Sequence, residues 1–389
     1  MLRVLSFSSI RFPGYFGEAI RLPSLGRCLV KRGWEFHMII SGSHVNIDAD
    51  EVVDGLYVHR FAIPSLLRPL FKVRKLWAIL GEVFTNYLAV KGLSIIRGKD
   101  VNLLLGYMPN CWGGYPAAQC KIFTGLPMVL DCADLFKLYP SLLQSLTVKI
   151  SDKILVISQP IKDFLMLRCS VPEEKIVVLP NGVDTAIFNP MVRGIGLKDK
   201  LNAEHIVLFV GYLYELDILI KVASNIVKEK PKTFFIIVGN HDRSRWIHKV
   251  KKIGLEKNFL FTGPIPHTEV PKYIMDSDVC VNIFPQKDYF AAAHPLKILE
   301  YMACGKPVVA TNLPGTAQTI QNGVNGFLYN PDDAEALTKY LNTLLSDQNL
   351  RKRVGQAAWN TIRDKYTWET MTENLIKVFE EVSINPDLK

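Results

Sequence analysis

The sequence predicts an α/β chain of two doubly wound domains, each built on a parallel sheet, facing one another across a central cleft. Three observations carry this. The chain opens with a strand, a helix and a strand, Leu2 to Phe7, Ile20 to Arg32 and Glu35 to Ile40, the βαβ unit of a parallel sheet. A second βα series begins at His205 with IVLFVGYL and continues through FFIIVGN, NFLFTG, VCVNIFP and GFLYNP. Between them PNGVDTAIFNP, residues 180–190, is punctuated by Pro, Asn-Gly and Pro and reads as an interdomain connection. A length of 389 residues, 49% of them hydrophobic, supplies material for two cores.

Taken in order, the first strand ends in the loop IRFPGYFGEA, which holds Gly14 and Gly17 but no G-x-G-x-x-G. A glycine at this junction serves either a plain tight turn or the close approach of a ligand to the backbone. From Gly55 to Lys99 the basic residues Arg60, Arg68, Lys72, Arg74, Lys75, Lys91, Arg97 and Lys99 meet one acid, Glu82, amid many apolar residues. Helices of that composition fit either contact with an anionic membrane surface, through residues 61–99, or an ordinary solvated face. Strands follow at Val101 to Leu105 and Met128 to Leu130. The second closes on Asp131-Cys132-Ala133-Asp134, whose carboxylates stand where an α/β sheet meets substrate; Asp134 could equally start a turn. The tail, Thr367 to Ser383, is an amphipathic helix with Met371, Leu375, Val378 and Phe379 on one side.

Composition excludes several classes. No run of eighteen apolar residues is present, and MLRVLSFSSI lacks a basic n-region, a long apolar run and a small-residue cleavage site, so neither a membrane span nor a signal peptide is expected. The seven cysteines are scattered singly, without C-x-x-C or zinc spacing, as expected of reduced thiols in the cytoplasm. The net charge of +9 comes with no nucleic-acid-binding motif, so nucleic acid is not an expected partner. Asp48-Ala49-Asp50, read as a surface loop, and Asp276-Ser277-Asp278 have a D-x-D shape but no convergent oxygen set, and no metal is expected.

The densest punctuation lies in FAAAHPLKILEYMACGKPVVATNLPGT, residues 290–316. Pro295 predicts a helix start, Gly305 an αL stop with Pro307 beyond it, Val308 to Thr311 a short buried strand and Pro314-Gly315 a turn. Helical spacing puts Lys297, Glu300 and Tyr301 on one side and Ile298, Leu299 and Met302 on the other. Such a helix offers amides, a cation and a carboxylate to one region, suiting a phosphate and then a hydroxylated ring. An amphipathic helix with its polar side in water has the same pattern.

ISDKILVISQPIKDFL, PEEKIVVLPNGVDTAIFNP, and ILEYMACGKPVVATNLPG with NGVNGFLYNPDDAEAL closely resemble the family 4 glycosyltransferases of the GT-B fold, in order and over nearly the whole chain. The resemblance implies two Rossmann-like domains, with residues 1–184 on the acceptor side and 185–366 binding a nucleotide-sugar. Residues 367–389 would pack back toward the first. It implies retaining transfer of a sugar to a glycan or lipid-linked acceptor, with no cofactor beyond the nucleotide-sugar substrate. Glu300 matches the ribose-binding glutamate; His294, Pro295, Leu296 and Lys297 match the turn whose amides meet the diphosphate; Gly17 matches the loop opposite; Asn181, Gly182 and Asp184 match the hinge. Asp134 is assigned to the acceptor or reacting sugar, and with Lys297 and His294 makes up the expected catalytic set.

Departures from the family pattern matter equally. Ala292 stands where its first glutamate would be, and Gly211-Tyr212-Leu213 followed by Asp217 replaces its G-R-L and K-G cations, with Gly211 and Tyr212 still expected to bind the nucleotide-sugar. Lys297 and the helix amides are expected to take over that charge, since an uncompensated diphosphate forfeits several kcal/mol of transition-state stabilisation. Catalysis would then rest on electrostatics, positioning and domain closure, in the cytoplasm or on the inner face of the membrane. The same losses would suit a catalytically impaired scaffold that binds nucleotide-sugar or a partner enzyme. A GT-B sugar epimerase fits the NGVD and EYMACGKPVVAT segments less well.

Overall fold

The structure, a computed structural model, describes residues 2–14, 18–42, 44–65, 77–135, 142–212, 216–239 and 243–384, and all counts are of these. The chain forms two compact units, one comprising Met1–Pro180 with Trp368–Lys389, the other Asn181–Thr367.

The first unit contains β1 (Arg3–Ser8), α1 (Glu18–Lys31), β2 (Glu35–Ser41), β3 (Ala49–Val53), β4 (Leu56–Phe61), α2 (Trp77–Lys99), β5 (Leu103–Tyr107) and α3 (Gly114–Thr124). It continues with β6 (Met128–Cys132), α4 (Leu142–Ile150), β7 (Lys153–Val156), α5 (Gln159–Cys169) and β8 (Ile176–Val178). The strands lie in the order β3-β4-β2-β1-β5-β6-β7-β8, parallel except for the β3–β4 hairpin at one edge. The basic stretch 55–99 is therefore not helical throughout: its start is β4, while Arg68, Lys72, Arg74 and Lys75 lie outside the described residues. Asp48-Ala49-Asp50 likewise runs into the edge strand β3 rather than a loop.

The second unit holds α6 (Leu197–Leu201), β9 (His205–Val210), α7 (Asp217–Glu229), β10 (Thr233–Val238), α8 (Arg243–Lys252), β11 (Phe259–Gly263), α9 (Val270–Asp276) and β12 (Val279–Asn282). After these come α10 (Asp288–Ala292), α11 (Leu296–Ala303), β13 (Val308–Thr311), α12 (Pro314–Ala317), β14 (Phe327–Tyr329), α13 (Ala334–Ser346) and α14 (Gln348–Lys365). The sheet order β11-β10-β9-β12-β13-β14 is all parallel and reverses direction between β9 and β12. Successive strand residues feed opposite faces: Val207 and Phe209 join one core with α7 and α13, Ile206 and Leu208 another with α11. That two-sided burial explains the unbroken apolar runs in the sequence.

The last helix, α15 (Trp368–Ile384), belongs to the first unit. Met371, Leu375, Val378 and Phe379 are all buried there, and the Phe379 ring lies 5.8 Å from that of Trp34. Pro314-Gly315, expected as a turn, instead opens the short helix α12, where a first-turn proline loses no hydrogen bond.

Candidate active site

In an open parallel sheet the crevice beyond the strand C-termini, at the point where strand order reverses, is where backbone amides and loops converge on a ligand. In the second unit that point lies between β9 and β12, and α11 presents its side chains to it. Pro295 caps α11 in an extended conformation (φ −73°, ψ 121°), one residue outside the helix it was expected to begin. Gly305, at φ +67°, supplies the αL stop. Ile298, Leu299 and Met302 are buried. Tyr301 is fully buried as well, and its hydroxyl accepts from the Val210 amide at 2.7 Å, which ties the helix to the end of β9. On the side of α11 carrying Lys297, Glu300 and Tyr301, the last two are thus buried and Lys297 is half-buried.

Strands β9, β10 and β11 each end at a glycine of positive φ: Gly211 (+128°), Gly239 (+156°) and Gly263 (+79°). A Cβ at Gly239 would lie 1.9 Å from the Gly211 carbonyl oxygen, so only glycine fits there. A Cβ at Gly211 would come within 2.7 Å of Lys297 Nζ. That ammonium stands 4.5 Å from the centre of the Phe209 ring and 5.4 Å from that of Phe284. Burial pushes its pKa down to about 8, against the pull of Glu300 in the other direction.

Glu300 is 6% exposed, and its Oε1 lies 2.7 Å from Nε2 of His267. His267 opens a short 3₁₀ turn just after β11, with its ring 5.0 Å from that of Phe188. Burial acts to lower its pKa and is outweighed by the charge and hydrogen bond of Glu300, aided by Asp184, so the net shift is upward. Sequence reasoning missed this histidine, which stands 33 positions from its partner. The available signal was its place at a strand C-terminus of an α/β unit.

His294, expected among the catalytic residues, is buried with both ring nitrogens engaged. Nδ1 accepts from the Asn181 amide at 3.2 Å, and Nε2 lies 2.8 Å from Thr319 Oγ1. The Asn181 side chain also donates to the His294 carbonyl at 2.8 Å. Those contacts make His294 the brace of the turn before Pro295, and they assign the neutral Nε2–H tautomer. Ala292 is buried, Tyr212 exposed, and Asp217, at the start of α7, forms an ion pair with Lys249. Asp217 also lines a cavity of about 270 Å³ with Arg245, Phe284, Tyr329 and Asp332, next to Lys297 through the shared Phe284.

Gly17 falls outside the described residues. In the first unit Asp134 lies two residues beyond β6, half-buried, with Oδ1 accepting from the Leu135 amide at 2.9 Å. Asp131, read as its companion at the strand end, is instead inside β6 and fully buried. Its two oxygens accept from Nε and Nη2 of Arg21 at 2.9 and 3.2 Å, a structural ion pair. Gly182 and Asp184 follow directly on the unit boundary at Pro180/Asn181. The D-x-D carboxylates are committed to protein partners. Asp276 takes the Ile195 and Leu197 amides, Asp278 the Ile206 amide and Lys198, Asp48 the Ala62 amide and Asp50 His59.

Comparison with known proteins decides the family. The model "Glycosyltransferase Family 4" matches residues 19–187 and "Glycosyl transferases group 1" residues 198–361. The chain belongs to the family 4 glycosyltransferases. Two uncharacterized glycosyltransferases of Methanocaldococcus jannaschii are among its relatives. One is 25% identical over 63% of this chain and 62% of its own length, the other 23% identical over 94% of each. The crystal structure of Anabaena HepE in complex with UDP superposes with a TM-score of 0.73 at 18% identity, covering 98% of this chain and 99% of that one. At that identity the likeness is one of fold, and the fold of this glycosyltransferase is GT-B.

Proposed function

We propose that the enzyme is a retaining glycosyltransferase that moves a sugar from a nucleotide-sugar donor to a glycan or lipid-linked acceptor. The observation that carries the donor half is the convergence of Lys297, Glu300 and the Gly211 backbone on the crevice where the sheet reverses. Nζ of Lys297 and the first amides of α11 would receive the diphosphate, replacing the cations lost at Tyr212 and Asp217. Glu300, one turn on, would accept hydrogen bonds from the ribose hydroxyls. The bound UDP of HepE supports a nucleotide donor. Catalysis is assigned to leaving-group stabilisation and positioning, with no resident cofactor and no metal. Asp134 is assigned to the acceptor or reacting sugar, Gly17 to the diphosphate, and the segment Asn181, Gly182 and Asp184 to the hinge.

The acceptor half rests on the first unit. No helix among the described residues is long and apolar enough to cross a membrane. Exposed apolar side chains, Val83 and Val90 on α2 with Ile122 and Phe123 on α3, occur with the basic Lys91 and Arg97. That mixture supports a lipid-surface location for the acceptor.

Incubation with a panel of UDP-, GDP- and ADP-sugars, with and without membrane extract, tests the reading through release of nucleoside diphosphate. Release that depends on Lys297 is expected. Glu300→Ala should abolish donor binding and Asp134→Ala should spare it. Nucleotide binding without any release would leave a scaffold instead, the reading that the losses at Ala292, Tyr212 and Asp217 would favour.

A further inference from the structure

We infer that His267 is a positioning residue of the donor site, holding the Glu300 carboxylate in the orientation that meets the nucleotide ribose. The inference rests on the ribose assignment of Glu300 and adds to it a partner 33 positions away in the chain.

A carboxylate that must meet a vicinal diol works only if its plane is fixed, because a freely rotating carboxylate loses orientation on binding. Glu300 sits on α11 at 6% exposure, where its Oε1 lies 2.7 Å from Nε2 of His267. That contact occupies one lone pair of Oε1 and leaves Oε2 outside the pair, able to accept from a hydroxyl. His267 is itself set by its neighbours: its ring packs at 5.0 Å against Phe188, and three residues separate the end of β11 at Gly263 from the 3₁₀ turn that it opens. The charged groups that act on it are Glu300 on α11 and Asp184 on the segment after the unit boundary, and Lys297 acts on Glu300 from the same helix. Both carboxylates favour the imidazolium. As pH rises through the raised pKa of His267 the charge is lost, and the Nδ1–H tautomer becomes accessible, which turns a bare nitrogen toward the carboxylate. The grip on Glu300 therefore weakens with rising pH.

The test is calorimetric binding of UDP, GDP and ADP to the full chain between pH 6 and 9, for the wild type, Glu300→Gln, His267→Ala and His267→Gln, with thermal melts of each. His267→Ala is expected to weaken the nucleotide that binds by about 10-fold, the scale of one hydrogen bond to a charged group. His267→Gln, which keeps an N–H donor at similar reach, should recover most of the loss. Wild-type affinity should fall more steeply with rising pH than that of His267→Gln. His267 is the titratable group that this substitution removes, so the difference between the two curves reports on it. Unchanged or tighter binding in His267→Ala, with Glu300→Gln weakened, would overturn the role of His267 and leave the ribose assignment standing. Loss in both His267 variants with parallel pH curves would reduce the residue to packing and overturn it equally. Normal binding in Glu300→Gln, or no binding of any of the three nucleotides by the wild type, would remove the ribose assignment and this inference with it.

Discussion

The ammonium of Lys297 fills the space that a side chain at Gly211 would need. A Cβ there would lie 2.7 Å from Nζ, at a backbone φ of +128° that side-chain-bearing residues rarely adopt. Gly211→Ala should therefore act on Lys297 as well as on the backbone. The expected outcome is a 10-fold or greater rise in KM for the donor, with a destabilisation on the order of 1–3 kcal/mol from strain. Steady-state kinetics and denaturant titration measure the two effects separately.

Removing the cation itself separates function from stability. Lys297→Met should lower kcat/KM by about 10²-fold or more, the usual cost of deleting one stabiliser of developing charge. It should leave thermal stability unchanged or raised, because the methionine no longer buries an ammonium against Phe209 and Phe284. Equal losses of activity and stability would argue that the lysine is structural.

The depressed pKa of Lys297 gives that prediction a pH signature. Its folded value of about 8 lies below the ordinary 10.5, so between those limits the unfolded chain binds more protons. Stability of the ligand-free protein should then rise with pH from about 8 toward 10.5, and the rise should be absent from Lys297→Met. Denaturant midpoints at several pH values, wild type against variant, check the sign.

In the first unit the Arg21–Asp131 pair is buried at side-chain exposures of 2% and 0%. Arg21 also donates to the carbonyls of Leu179 and Pro180, the last two residues before the unit boundary. Asp131→Ala would strand a buried guanidinium and should cost about 3–5 kcal/mol. The double substitution Arg21→Met with Asp131→Ala should recover part of it, to be measured by chemical denaturation against both single variants as a double-mutant cycle.

These residues show what the sequence could and could not reveal. Strand and helix periodicity marked both parallel sheets, because strands buried on both faces leave continuous apolar runs such as IVLF and FFIIV. Gly305 was legible as a helix stop from its residue type alone. Asp131 was not legible as structural, since its partner Arg21 lies 110 positions away and nothing local distinguishes a paired carboxylate from one facing a crevice. Tyr301 was placed with the polar residues for the same reason: its hydroxyl finds the Val210 amide only once β9 and α11 are packed. His267 follows the rule too, a long-range contact that spacing cannot report.

His294 offers the sharpest separation between positioning and chemistry. Its ring is braced at both nitrogens, by the Asn181 amide and by Thr319, and its carbonyl by the Asn181 side chain. The brace joins the first residue of the second unit to the turn that starts α11. A group serving as general acid or base must exchange a proton with a ligand, and its loss reshapes the pH profile of kcat/KM. A brace instead lowers the whole profile without moving its inflections. Asn181→Ala removes one side-chain hydrogen bond and should lower kcat/KM about 5-fold, from roughly 1 kcal/mol of lost positioning. His294→Asn keeps an acceptor near the Nδ1 position, and His294→Gln keeps a donor near Nε2; each should retain part of the activity, and His294→Leu less than either. All should share the wild-type pH inflections. A missing limb in the profile of His294→Gln would restore the histidine to the catalytic set.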